Sequence, residues 1–337
     1  MSKVYTGIQI GNYSVKLTQV TDDKIDRISV TPLPENLVKD GRILSIDAIS
    51  ELIKGIVKDN QIKCKNAAVV LSSDVSFTRR TTMPYMPIEQ LKINLPYEFH
   101  DYIQNEKESY NYDYAVIGKF ENEKGEVESL DLLIAAARND ILDEYTGMLK
   151  KAGLKFKLAI PEPLTYRNLL RTYQKNNENH PDEYCIVDLG HAATRMHMFN
   201  GTIYDTTRVI EYGGAALDAL IADYMDVDIH LASNYKISNM YDVQSLDVCH
   251  DLYNRIAVEL LRALNFYHYN NPESTLNDIY FCGGLVKIKP LMEIIQSTLD
   301  ANIHNVAELI PGYDAEKYDS EKSEAEIATA AIAITLQ

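Results

Sequence analysis

A stretch near the N-terminus recurs in chemical outline in the middle of the chain, and this repeat constrains the fold more than any other feature. Residues 7–20 read GIQIGNYSVKLTQV and residues 186–199 read IVDLGHAATRMHMF. At an offset of 179 positions, Gln9 falls on Asp188, Gly11 on Gly190, Lys16 on Arg195, Leu17 on Met196 and Val20 on Phe199. Each copy spells an apolar strand, a turn at the glycine and a second, alternating strand. A polar turn (Thr21-Asp22-Asp23-Lys24 or Asn200-Gly201) and a third strand-like stretch follow. One glycine after a β-run is common, whereas two copies, each opening a half of the chain, point to two similar lobes. With 337 residues and 46% hydrophobic side chains, the chain has enough material for two cores. A glycine turn lets backbone N–H groups approach phosphate oxygens with no Cβ in the way. Two such turns facing each other would hold a polyphosphate in a cleft.

Two further glycine pairs lie in the second half. Gly213-Gly214 follows an alternating run over 206–212 and opens a helical pattern over 215–224. It reads either as a phosphate-facing helix N-terminus or as a simple turn. Gly283-Gly284 follows an apolar strand over 278–282 and precedes a helix starting near Pro290. It suits close approach to a flat base or a ribose, or a tight strand-to-helix turn. His191, next to Gly190, either donates to a phosphate or lies exposed on its loop.

Other chemistries find little support. The net charge of −16 disfavours nucleic acid, which needs clustered cations, and argues against adhesion to anionic lipid. No basic cluster stands out along the chain. Nor is there an apolar run of about 18–20 residues or a signal-peptide core at the start, so the expectation is a cytoplasmic protein. Cys64, Cys185, Cys249 and Cys282 form no C-x-x-C pair and read as reduced thiols. The eight histidines include no H-x-x-x-H or H-E-x-x-H spacing, so a transition-metal site is not expected. Arg79 and Arg80 alternate along a strand and are expected in ion pairs.

The order of these signals resembles the superfamily of actin, heat-shock protein 70 and sugar kinases. The resemblance implies an α/β, actin-like (ribonuclease H-like) two-lobe ATPase fold with ATP and magnesium as ligands. Gly11, Asn12, Tyr13, Ser14 and Lys16 would form the first phosphate loop, and Asp188, Gly190, His191 and Thr194 the second. Gly283 and Gly284 would be the adenosine motif, with Gly213 and Gly214 also at the nucleotide. Helices over 163–173 and 324–336 would be the connectors. Within the superfamily the chain is similar to the type IV pilus assembly family PilM, with the cell-division family FtsA as cousin. Three stretches carry this: VYTGIQIGNYSVK at 4–16, the segments 91–103 and 110–116, and ELLRALNFY at 259–267 with Asn270. In the last of these, Glu259 and Arg262 sit beside a buried stripe of Leu252, Ile256, Leu260, Leu264 and Tyr267. They pair with each other or, by the resemblance, reach ribose or adenine.

The chain departs from the family at one charged position. The family's first strand usually carries Asp where this chain has Gln9. In ATPases of this fold that carboxylate helps hold the hydrated magnesium. Gln can hydrogen-bond a metal-bound water but brings no charge. Asp188 remains as the carboxylate on the metal side, acting through water. The resemblance thus implies nucleotide binding with slow or absent hydrolysis.

The expected lobes are 1–84 with 161–180 and 323–337, and 181–212 with 276–322, the latter carrying a subdomain over 213–275. Residues 85–160 read as an inserted α/β subdomain of the PilM/FtsA kind. Two short helices split by Pro96, strands over 114–120 and 129–137, a helix over 140–152 ended by Gly153, and a strand over 155–160 compose it. The resemblance implies a groove there for the short cytoplasmic tail of a PilN-like inner-membrane protein, which would recruit the chain to the inner face of the membrane. Leu91, Leu95, Tyr97, Phe99 and Tyr102 are its candidate lining. Tyr110, Tyr112 and Tyr114 belong either to that interface or to one face of a strand packed on a helix. Residues 313–322 read as a solvated loop.

Three functions compete. The first is a nucleotide-holding scaffold of pilus assembly, at most a weak ATPase. The second is an FtsA-like, self-associating polymer, although the chain lacks that cousin's basic amphipathic tail before Gln337. The third is a small-molecule kinase, which needs a carboxylate general base that the sequence does not single out.

Overall fold

The first repeat folds into a meander of β1 (Thr6–Ile10), β2 (Ser14–Thr21) and β3 (Lys24–Pro32). The turn between β2 and β3 puts Asp22 and Asp23 at φ 49° and 57°, the left-handed conformation that short hairpin loops require and Asp tolerates. The computed structural model describes residues 4–34, 36–39, 41–103, 106–312 and 324–336. A short ladder, β4 (Val38–Lys39) with β5 (Arg42–Ile43), leads into α1 (Ile46–Asp59). The Ser45 hydroxyl caps α1 by accepting from the Ala48 N–H, and Ile49, Ile53, Ile56 and Val57 form its buried stripe. Next come β6 (Asn66–Leu71), β7 (Ser76–Pro84), α2 (Ile88–Asn94), β8 (Tyr110–Glu121), β9 (Val127–Arg138), α3 (Asn139–Lys151), β10 (Lys155–Pro161) and α4 (Glu162–Asn176).

The second half repeats the plan. A meander of β11 (Glu183–Leu189), β12 (Thr194–Asn200) and β13 (Ile203–Ile210) is followed by α5 (Gly214–Met225), α6 (Ile229–Ser238) and α7 (Asp247–Asn270). Then come β14 (Asp278–Cys282), α8 (Lys289–Thr298), β15 (Asn302–Asn305) and a short α9 (Thr329–Ala333). The first sheet runs β10-β6-β1-β2-β3 and the second β15-β14-β11-β12-β13. In each, two strands are added parallel to the first strand of the meander. β1 and β11 are buried nearly end to end, as strands covered on both faces must be.

The chain divides into two compact units. One runs to Thr172 and includes 202–206 and the segment from Ala330; the other comprises Tyr173–Gly201 and Thr207–Thr329. Each has its own core. Ile8, Val15, Leu17 and Val69 are fully buried in the first, and Val187, Met196, Ile256 and Leu260 in the second. The stripe expected on the long helix is buried along α7, from Leu252 to Tyr267.

The sheets draw the borders of the insert elsewhere than at 85 and 160. β7 belongs with the insert, whose sheet order is β7-β9-β8, while β10 pairs with β6 in the first sheet. α3 follows β10, because Ile141, Tyr145, Met148 and Leu149 pack into the same core as Ile8 and Ile53. Hydrophobic periodicity detects such elements but does not say which sheet they join. The second of the two expected short helices shrinks to a 3₁₀ turn over 95–99 with Pro96 at its start. The C-terminal connector is also shorter than expected. Thr329 and Thr335 donate their hydroxyls to nearby carbonyls, Ala325 O and Ile332 O, and the carbonyl of Glu326 is taken by the Gly283 N–H. The loop expected over 313–322 lies outside the described residues.

Gly7 on β1 is where the first unit leaves least room. A Cβ there would overlap the carbonyl oxygen of Ala331 and stand 2.8 Å from both the Thr18 hydroxyl and a Thr335 methyl. Thr18 itself donates to Ala331 O at 2.6 Å. Gly7→Ala is expected to cost about 2–3 kcal/mol through overpacking. Urea unfolding followed by circular dichroism checks this, and an unchanged midpoint contradicts the packing.

Candidate functional site

The two glycine turns match bond for bond. The Gly11 N–H donates to Ser14 O at 3.0 Å and the Gly190 N–H to Ala193 O at 3.2 Å. Opposite pairs behind the turns correspond as well: Gln9 faces Lys16 and Asp188 faces Arg195, while Ile10 faces Val15 and Leu189 faces Thr194. The 179-residue offset therefore holds in strand register. Both turns sit at the carboxyl ends of parallel strands, the end at which open α/β sheets take their ligands.

In the first unit, Lys16 bends its ammonium over the turn, so that a Cβ on Gly11 would lie 3.1 Å from its Nζ. Asn12 Oδ1 accepts from the Gly41 N–H at 3.4 Å, and Tyr13 O accepts from Leu33 N at 2.9 Å. Ser14 is buried. Gln9 donates through Nε2 to Glu162 Oε1 at 2.8 Å. Glu162, 3% exposed, begins α4 at the carboxyl end of β10. It is a carboxylate that the sequence reading passed over. Its signal was the Pro161-Glu162-Pro163 stop directly after a strand.

In the second unit, glycines crowd Asp188. Gly283 has φ 95°, and a Cβ there would collide with Asp188 Oδ1 and the Leu189 carbonyl. A Cβ on Gly190 would stand 2.8 Å from Ala193 O and 3.8 Å from Asp188 Oδ2. The Gly283 N–H is held by Glu326 O at 2.9 Å. Burial pushes the Glu326 carboxyl above its ordinary range, against the pull of Lys287. His197, fully buried with Nδ1 2.8 Å from the Thr207 hydroxyl, is pushed down to about 3 by burial and the nearby Arg195. It stays neutral at ordinary pH.

Several candidates brace the second turn from behind. The N–H groups of Gly214 and Ala215, at the start of α5, donate to Gly190 O and His191 O at 3.0 and 2.8 Å. Those helix N–H groups are thus committed to the loop and do not stand open to an anion. Gly213 is equally tight, since a Cβ would come within 2.6 Å of His191 O and 2.7 Å of Gly190 O. Thr194 is fully buried and donates to Tyr212 O at 2.9 Å. Behind α5, Lys236 Nζ lies 2.7 Å from Asp218 Oδ1 and donates to Gly214 O at 3.1 Å, both side chains being buried. His191 Nδ1 lies 3.8 Å from Asp218 Oδ2. The sequence reading missed this pair, because a single Lys and a single Asp in two helices carry no spacing signal.

Of the remaining candidates, Glu259 and Arg262 pair with each other on the exposed side of α7. Gly284 opens a 3₁₀ turn before α8. In the insert, Leu91, Leu95 and Phe99 are core, at 2%, 2% and 0% exposure. They pack with Met83, Leu132 and Ile134, and Tyr110, Tyr112 and Tyr114 lie against the same cluster. Tyr97 and Tyr102 remain outside, at 60% and 56%. Arg79 donates to Glu98 O, and Arg80 forks onto Asp131, as ion-paired strand residues should. Among the described residues no cluster of three His, Cys, Asp or Glu could hold a metal, and no helix is long and apolar enough to cross a membrane.

Two duplicated sheets with a glycine turn at the end of each first strand define an actin-like fold. A solved PilM–PilN type IV pilus biogenesis complex matches with a TM-score of 0.81 at 20% identity, over 98% of this chain and 97% of that one. The ethanolamine utilization protein EutJ from Carboxydothermus hydrogenoformans matches with a TM-score of 0.60 at 12% identity, over 100% and 90%. No curated protein matches the sequence. The family model of the type IV pilus assembly protein PilM matches residues 7–336. The chain belongs to the PilM family of type IV pilus assembly proteins.

The buried Lys236–Asp218 pair supplies a test of the bracing. Lys236→Ala leaves a buried carboxylate without its cation and is expected to cost about 3–5 kcal/mol. Lys236→Met combined with Asp218→Leu should recover most of that loss. Denaturant midpoints of the three proteins decide it, and a harmless single substitution contradicts the assignment.

Proposed function

We propose that the chain is a nucleotide-holding scaffold of type IV pilus assembly that docks the short cytoplasmic tail of a PilN-like membrane protein and hydrolyses ATP slowly or not at all. The observation that carries the nucleotide part is the register match of the two glycine turns, together with the glycine cradle around Asp188. The residues fit a phosphate-bearing ligand. Lys16 brings a cation over the Gly11 turn, and Gly190 and Gly283 let main chain pack directly beside Asp188 with no Cβ between. Magnesium, when bound, would offset phosphate charge, with Asp188 ordering its water. Gln9 brings no charge to the first turn, and its amide is spent on Glu162 Oε1. The missing carboxylate is the reason for slow turnover.

The docking part rests on family membership and on the exposed aromatic side chains of the insert. Tyr97 carries Lys107 over its ring at 3.7 Å, and Tyr102 stacks on Phe77 at 5.3 Å. Ile88 and Ile93 are exposed at 58% and 68% on the same stretch of chain. By the family resemblance the partner tail carries an Asn-Leu-Leu-like stretch, and such a surface suits its leucines, with Tyr giving area and one polar group.

Calorimetric titration of Mg-ATP is expected to show binding to the parent protein. Asp188→Ala should weaken it by about tenfold or more, roughly 1.4 kcal/mol. Absence of binding by the parent sinks the nucleotide reading. For the tail, an Asn-Leu-Leu peptide should bind the full chain, and Tyr97→Ala with Tyr102→Ala should lower its affinity about tenfold or more, as loss of anchoring aromatics does. A peptide that binds both proteins alike places the groove elsewhere.

A further inference from the structure

Folding brings together two lysine-rich segments that the linear chain keeps apart. Residues 54–65 carry Lys54, Lys58, Lys63 and Lys65 against the single acid Asp59. Residues 150–157 carry Lys150, Lys151, Lys155 and Lys157 against none. The two segments are the C-terminal ends of α1 and α3 with the chain that follows each. α1 and α3 pack on one core, and the Lys155 N–H donates to Lys65 O at 2.7 Å. All eight lysines are exposed. Four of them, from Lys54 to Lys65, rim a cleft of ≈ 460 Å³ floored by Val57, Ile62 and Ala152.

Helix ends explain only part of this. Cations in a last turn offset the helix dipole, by about 0.3–1 kcal/mol each, and that effect fades within the turn. It accounts for Lys58, Lys150 and Lys151. It does not reach Lys63, Lys65, Lys155 and Lys157, which lie beyond the helices. Lys54 pairs with Glu51 and Lys151 with Asp47. Among the described residues, Lys58, Lys63 and Lys65 have no carboxylate partner. In a chain of net charge −16, four lysines around one cleft, with four more on the adjoining segment, are not a matter of composition.

The chemistry of the lysines narrows the partner. There is no Arg among the eight, although the Arg fork is the better match for a carboxylate or phosphate held at one fixed point. Lys is a hydrated point charge on a flexible stem and suits a diffuse anionic surface. None of the large exposed apolar side chains lies in either segment, so nothing here would insert into a hydrocarbon layer. We propose that this face rests on a bilayer rich in anionic phospholipid, held by headgroup charge alone. The inference does not depend on tail docking. It qualifies what the net charge implies: the chain as a whole repels such a surface, while its segregated lysines select the one face that approaches it.

Flotation of the full chain with pure lipid vesicles tests this without any protein partner. Binding is expected to vesicles containing phosphatidylglycerol, not to phosphatidylcholine alone, and to be released near 1 M salt, where the screening length falls to about 3 Å. Each lysine near an anionic surface is worth about fivefold in partitioning, so Lys58→Gln, Lys63→Gln and Lys65→Gln together should lower it by at least about tenfold. Lys119→Gln with Lys124→Gln, on the β8–β9 hairpin, should leave it unchanged. Thermal melting confirms that the triple variant is folded; should it melt early, Lys63→Gln alone, beyond the helix, is expected to lose about fivefold. Equal flotation with both lipids, or undiminished flotation of the variants, overturns the proposal. Retention on immobilised polyglutamate without vesicle flotation also overturns it, and assigns the cleft to an acidic protein.

Discussion

A backbone hydrogen bond closes each glycine turn, Gly11 to Ser14 in one unit and Gly190 to Ala193 in the other. Most of what is distinctive in each unit follows from where that bond sits. It ends the first strand of a meander at the carboxyl edge of a parallel ladder, so whatever follows the strand stands at the sheet's ligand end. A Cβ at Gly190 or Gly283 would press on backbone or on Asp188, and a Cβ at Gly213 would press on the turn itself. The glycines are therefore a packing requirement before they are a binding feature.

The two units match in topology and register but differ in their charges. Asp188 faces Arg195 across its hairpin, while Gln9 faces Lys16. Gln9 gives its amide to Glu162, a buried carboxylate at the mouth of β10. On the second side, the braces are charged and buried: Lys236 on Asp218 holds the start of α5, which holds the loop. A loop fixed from behind in this way loses little entropy when it takes a ligand.

Much of the fold was legible in the sequence because its signals are local. The glycine after a β-run, the Asp22-Asp23 turn, Gly153 at the end of α3 and the stripe along α7 each follow from neighbours within a few residues. The borders of the insert were not legible, since whether β7 and β10 join one sheet or another is decided by partners far along the chain. Leu91, Leu95 and Phe99 read as a possible groove because an apolar stripe looks the same whether it faces a core or a partner; the sheet of β7, β9 and β8 decides for the core. The Lys236–Asp218 pair and the gathered lysines of α1 and α3 share one cause of invisibility. Each joins residues that only the fold makes neighbours, and a net charge summed over the chain erases both.

The central claim is that each glycine turn is a phosphate-binding element. Amide resonances of a ¹⁵N-labelled sample, followed as Mg-ATP is added, test it most directly. The account predicts that the Gly11 and Gly190 signals both shift as Mg-ATP is added, while Gly125, at the tip of the β8–β9 hairpin, stays put. If the two signals stay still, or only one of them moves, the duplicated turns are architecture and not a phosphate grip.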